Sequence, residues 1–186
     1  MKMLPLAFLA FAAAPPAAAQ APVQVPAFRS LSLEGGGTVT LRHGPVQKVT
    51  LVRGDAAVSE FRVRDDGTLE IRACRSRCSN YKLEVEIVTP SLSGLAIAGG
   101  GSIRSAGAFP ERETLGISIA GGGTIDAEPI GAQSVAASIR GGGTIRTRAR
   151  RSLATSIVGG GVVNYAGEPA LTVSVHGGGN IRKISK

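Results

Sequence analysis

The residues able to do chemistry are few and scattered. Two cysteines, Cys74 and Cys78, stand in "ACRSRCSN". A zinc site needs four ligands, and His43 and His176 are the only histidines available to join them. A redox pair more often has two intervening residues and lies in an alternation of strands and helices. In an oxidising compartment the pair suits a disulfide closing a small loop, provided that the backbone turns there. The acids total 13. Asp126 and Glu128, two apart, would share a face of a continuing strand, and a glycosidase needs two carboxyls about 5–9.5 Å apart. Pro129 follows at once and argues for a turn carrying two solvated acids. The remaining acids after residue 110 are Glu111, Glu113 and Glu168, too dispersed for a polysaccharide-cleaving cluster. Neither histidine has a serine or cysteine placed to act with it as a nucleophile.

The glycines are the other candidate. Triplets begin at Gly35, Gly99, Gly121, Gly141, Gly159 and Gly177. A phosphate-cradling loop needs a helix after the glycines, usually with Lys-Ser/Thr. "GGGTIRTR" leads instead into an alternating segment, so the triplets read as corners.

The elements around them repeat. The last five triplets are separated by 22, 20, 18 and 18 residues, and the first gap of 64 is about three such units. Each of the last four follows an alternating segment: "LGISIA", "VAASIR", "LATSIV" and "LTVSVH". Period two means strands, and a fixed period near 20 means stacked coils. An antiparallel meander needs a hairpin signal at every reversal, and only one turn per unit is marked. An outer-membrane barrel needs strands of about ten residues and aromatic girdles, but the chain has five Phe, two Tyr and no Trp. The expected fold is therefore all-β: a right-handed parallel β-helix-like stack of coils of about 18–22 residues with Gly-Gly-Gly corners and an irregular N-terminal half.

Column by column, Ile97, Ile119, Ile139, Ile157 and Val175 point inward. So do Ile103, Ile125, Ile145, Val163 and Ile181. Ala96, Ser118, Ser138, Ser156 and Ser174 point outward, small enough to stack. A second outward column holds Arg104, Asp126, Arg146, Asn164 and Arg182. It reads as an ion ladder or as a row of donors for an acidic glycan or lipid head group. His176 ends a tolerant column, Ala98, Ala120, Arg140 and Val158. "DDG" at Asp65 to Gly67 marks a tight turn. The N-terminal half reads as a cap of paired strands or wider coils. The last coil has no cap of its own, which leaves that end to the basic tail or to another subunit and makes homo-oligomerisation there an expectation.

The start of the chain reads as an export signal. Lys2 precedes an apolar run from Leu4 to Ala14, and Ala17-Ala18-Ala19 fits a cleavage site. Cleavage after Ala19 lowers the net charge from +8 by the one unit of Lys2. The run falls short of a membrane span, and no other segment is long and apolar enough. The expected location is the periplasm or surface of a bacterium. Partners there include envelope glycan, lipopolysaccharide or protein. Nucleic acid is set aside, since the arginines are spread out and lack interleaved aromatics to stack bases.

Several segments together resemble a known family, the auto-transporter adhesin head domain called the GIN domain. They are "QKVTLVRGD", "DDGTLEIRAC" and above all "VEIVTPSLSGLAIAGGGSI" (Val85 to Ile103), followed by apolar segments with glycine turns. The resemblance spans about Phe28 to Lys183 and implies a right-handed β-helix-like fold in exported bacterial proteins. It implies no activity and no functional residues. The organisation is then a signal peptide (1–19), a short linker (20–27) and one GIN domain (28–186), irregular over 28–90 and regular over 91–184. The functional expectation is a non-enzymatic, adhesin-like interaction module without cofactor or metal. The alternatives are a polysaccharide-binding or polysaccharide-active protein and an electrostatic binder of anionic lipid or glycan.

Overall fold

The computed structural model describes residues 20–76, 78 and 81–184. The signal-peptide segment, 1–19, lies outside them. The described residues contain no helix. Their sixteen strands are β1 (Ala21–Val23), β2 (Ser30–Gly35), β3 (Thr38–His43), β4 (Lys48–Arg53), β5 (Glu60–Val63), β6 (Thr68–Arg72), β7 (Glu84–Thr89) and β8 (Gly94–Gly99), then β9 (Ser102–Ala106), β10 (Arg112–Gly121), β11 (Thr124–Asp126), β12 (Ala132–Gly141), β13 (Thr144–Gly159), β14 (Val162–Ala166), β15 (Ala170–His176) and β16 (Asn180–Lys183).

All sixteen are hydrogen-bonded into one sheet. It doubles over at β13, whose first part pairs β11 and β14 and whose second part pairs β12 and β15. The two halves nearly close around a single core. One half, sheet A, runs β1-β4-β7-β3-β9-β11-β13-β14-β16; the other, sheet B, runs β5-β6-β2-β8-β10-β12-β13-β15. Alternation dictates what each strand buries: β10 reads exposed at Gly116, Ser118 and Ala120 and buried at Leu115, Ile117 and Ile119. The columns stack in register, Ile97 beside Ile119, Ile139 and Ile157 in sheet B, and Ile103 beside Ile125, Ile145 and Val163 in sheet A. All eight side chains are buried, each contributing roughly 1.5–3 kcal/mol.

The glycine triplets join the halves. The first glycine of each of the last five has φ between +119° and +131°, a region that side chains avoid. Its neighbour donates to the preceding corner, as from Gly122 N to Gly99 O and from Gly142 N to Gly121 O, both 3.0 Å. A Cβ on Gly141 would stand 2.5 Å from the Gly121 carbonyl oxygen.

Chain order and stacking order differ in the N-terminal half. The gap of 64 residues suggested three coils between the first two triplets. Instead β2 pairs directly with β8, Leu31 beside Leu95 and Gly35 beside Gly99, and β3 pairs with β9. The intervening chain passes to the other side of β2 and β3, where β6 and β7 add one more parallel layer. Between β6 and β7 the corner carries the Cys74–Cys78 disulfide in place of a glycine triplet. Ala73 N donates to Glu34 O at 3.0 Å, stacking this corner on the first. Beyond it lie antiparallel strands only: β4 on β7, β1 on β4 and β5 on β6.

Gly141→Ala should destabilise the protein by about 1–3 kcal/mol or more, combining backbone strain with collision against a backbone oxygen. Gly142→Ala, whose Cβ would meet nothing within 4 Å, should fall within about 0.5 kcal/mol of the parent. Urea unfolding of the two variants checks the contrast.

Candidate functional site: the outer face of sheet A

The two outer faces differ in chemistry. Sheet B presents small side chains, with Ser118, Ser138, Ser156 and Ser174 in register beside Gly116, Ala136, Ala154 and Thr172. These strands can lie flat because nothing bulky projects. Sheet A presents charge. Pairing places Arg104 beside Asp126, Asp126 beside Arg146, Arg146 beside Asn164 and Asn164 beside Arg182. Thr38, Ser102, Thr124 and Thr144 form a hydroxyl-bearing row alongside.

The column is not uniform. Arg146 Nε lies 3.8 Å from Asp126 Oδ2, and its Nη2 donates to Glu128 Oε2 at 3.0 Å. Glu128 Oε1 accepts from Arg148 Nη2 at 2.9 Å. A tight turn aims this carboxylate: Glu128 N donates to Asp126 Oδ1 at 3.3 Å and Ile130 N to Ala127 O at 3.1 Å. Pro129 therefore does mark a turn, and Asp126 and Glu128 share one arginine across it. Among the described residues, Arg104 and Arg182 make no ion pair.

Hydrogen bonding from Arg146 holds the Glu128 carboxyl below the usual carboxylate range; burial opposes this, and the bond from Arg148 reinforces it. A glycosidase acid needs the opposite shift. Beside Glu128 lies a cleft of about 520 Å³, walled by Phe109 and Pro129 on one side and by Glu111, Arg148 and Arg150 on the other. Glu111 pairs with Arg150 and accepts from Gln133 Nε2 at 3.1 Å. His43, from β3, sets its ring edgewise against Phe109 with centroids 5.7 Å apart. His176 is exposed at the end of β15, far in the stack from the cysteines. Among the described residues no group of three His, Cys, Asp or Glu could hold a metal.

With this geometry in hand, the family is decided by sequence. The family model described as "Putative auto-transporter adhesin, head GIN domain" matches residues 27–114 and 111–169. The chain belongs to the GIN-domain family. Among solved structures, the GIN domain described here is similar to a "putative adhesin" from Bacteroides fragilis, with 18% identity, 89% of this chain and 96% of that chain covered and a TM-score of 0.57. A second "putative adhesin", from Parabacteroides merdae, has 14% identity over 90% of this chain and 96% of that chain, with a TM-score of 0.45. Comparison with curated proteins finds no match.

The same GIN domain carries a second charged cluster that sequence reading passed over. On the outer face of sheet B, Arg72 donates to Glu34 at 3.1 Å, Glu70 at 2.8 Å and Glu60 at 3.2 Å, and Arg64 also binds Glu34 and Glu70. The hydrogen bond to Glu34 raises the Arg72 pKa further. Opposite charges on alternate positions of "EFRVR" and "TLEIR" were the available signal, since the Asp-Asp-Gly turn sets Glu60 across from Arg72 and Arg62 across from Glu70.

Because the folded pKa of Glu128 lies below its unfolded value, its contribution is present above the unfolded value and lost as pH falls through the folded one. Glu128→Gln should cost about 1–2 kcal/mol near neutrality and flatten the decline of stability with acid. Urea midpoints of the variant and parent from neutral to strongly acidic pH provide the check.

Proposed function

We propose that this GIN domain is a non-enzymatic, exported protein of a bacterial envelope, at the periplasm or cell surface, working as an adhesin-like interaction module. In this reading 1–19 is the signal peptide, 20–27 a linker and 28–186 the domain, whose coils wind as a right-handed parallel β-helix. The ligand-facing surface is the outer face of sheet A. Arg104, Asp126, Arg146, Asn164 and Arg182 form its central column, and its ligand is an anionic envelope glycan or lipid head group.

One observation carries the reading. Arg104 and Arg182 stand on the ladder without an ion-pair partner among the described residues, on either side of the neutralised Arg146. Guanidinium groups fixed at strand spacing match carboxylates or phosphates repeated along a chain. The lowered pKa of Glu128 favours binding over acid catalysis, since that carboxylate stays ionised. A second reading, binding of a neutral polysaccharide, is favoured by the cleft, where Phe109 and Pro129 offer apolar walls beside charge-compensated polar groups.

An array of glycans and lipopolysaccharides, probed with residues 20–186 at low and physiological salt, tests both. Binding of acidic glycans or lipopolysaccharide should persist at physiological salt and drop at least about tenfold, roughly 1.4 kcal/mol, in Arg104→Ala/Arg146→Ala. Signal that vanishes at physiological salt is mere charge attraction and would sink the proposal. Neutral glycans bound equally by the double variant would move the site to the cleft.

A further inference from the structure

We infer that the free edge of β15 is a docking surface for a second copy of this chain, the two β15 strands pairing antiparallel about Val173 to make sheet B continuous across a two-fold axis.

The edge strands of the molecule are treated very differently. At one end of the stack, β1 is three residues long with Pro22 at its centre, and β5 is four residues long and carries Glu60 and Arg62. Short length, proline and charge are the usual devices that stop an edge from recruiting another strand. At the other end, β16 carries Arg182 and Lys183, the latter paired with Glu168. The remaining edge, β15, has none of these devices. It spans seven residues, "ALTVSVH", without a proline or a permanently charged side chain. Among the described residues it pairs only with β13.

The same strand leaves core positions uncovered. Leu171 continues the column of Leu153, Val173 that of Thr155 and Val175 that of Ile157. Leu153 and Ile157 are fully buried, whereas Leu171, Val173 and Val175 are 45%, 51% and 37% exposed. An apolar row beside an unpaired backbone calls for another strand.

The sequence of β15 suits its own copy. Antiparallel pairing centred on Val173 sets Leu171 opposite Val175 of the partner subunit, Val173 opposite its equivalent, and Thr172 opposite Ser174 of the partner subunit. Apolar positions meet apolar ones, hydroxyls meet hydroxyls, and no like charges oppose each other. The blunted far end prevents the contact from propagating, so the assembly closes as a dimer. The charges on β16 keep the sheet A edges apart, which confines the joint to sheet B.

The experiment is light scattering with size exclusion on the purified protein, joined to cysteine crosslinking. The parent should elute as a dimer. Val173→Lys, which sets two like charges on the axis, should shift it to a monomer, association weakening about 100-fold or more, with an unchanged circular dichroism spectrum. Val173→Cys tests the register independently of stability, because both native cysteines are already paired. It should form a crosslinked dimer under mild oxidation, directly opposed residues being within disulfide reach, whereas Val158→Cys on the outer face should not. A monomeric parent, or a dimer that Val173→Lys leaves intact and Val173→Cys fails to crosslink, overturns the inference. None of these readouts involves glycan binding, so they stand apart from the proposed adhesin role.

Discussion

The close approach of successive glycine corners governs the rest of the structure. At each corner a missing Cβ lets one backbone settle against the carbonyl of the corner before it, with would-be Cβ to oxygen separations of 2.4–2.6 Å from Gly99 to Gly177. This fixes register. With the corners locked, the isoleucines two residues before and after each triplet must stack, because side-chain direction alternates strictly from that point. The core is thus a consequence of the corners as much as of hydrophobicity. The outermost parallel layer departs from the rule at Ala73 and uses the Cys74–Cys78 loop there. That layer faces only one corner, so it does not need to be thin on both sides.

Fixed register also arranges the surface. Once Ile125 and Ile145 are aligned inward, Asp126 and Arg146 have no choice but to lie side by side outward. The contrast between the small-residue face of sheet B and the charged face of sheet A then follows from one residue choice per coil repeated along the stack. Glu128 is the exception, since it belongs to a turn and reaches the ladder from its edge. Its pairing with both Arg146 and Arg148 draws the loop after β11 onto the sheet and shapes the cleft beside Phe109.

Much of this was readable beforehand. The columns of Ile97 and Ile103, and the outward run from Arg104 to Arg182, follow from aligning triplets, because one coil repeats the next almost residue for residue. Less could be read where periodicity lapses. The position of β2 beside β8 was hidden, since strand pairing is nonlocal and 64 residues of irregular sequence intervene. The Phe109–His43 contact was hidden for the same reason. It joins β3 to the loop after β9, neighbours only because the first coil sits against the fourth-strand pair of the chain. The Arg72 cluster was overlooked although its charge alternation was visible, because its members come from three strands whose adjacency depended on that same unread pairing.

The displacement of β2 and β3 into the interior of the stack bears on how the chain acquires its shape. From β8 onward each coil lies on the one synthesised just before it, so growth there is sequential and local. The first coil instead meets partners on both sides that emerge much later: β6 and β7 on one face, β8 and β9 on the other. It must remain unpaired until then, a delay set by closing a loop of about 60 residues. The regular end can therefore gain or lose a coil with little effect on what precedes it. The amino-terminal coil cannot be trimmed, because its removal would take a layer out of the middle of the stack and leave the disulfide-bearing layer with nothing to rest upon.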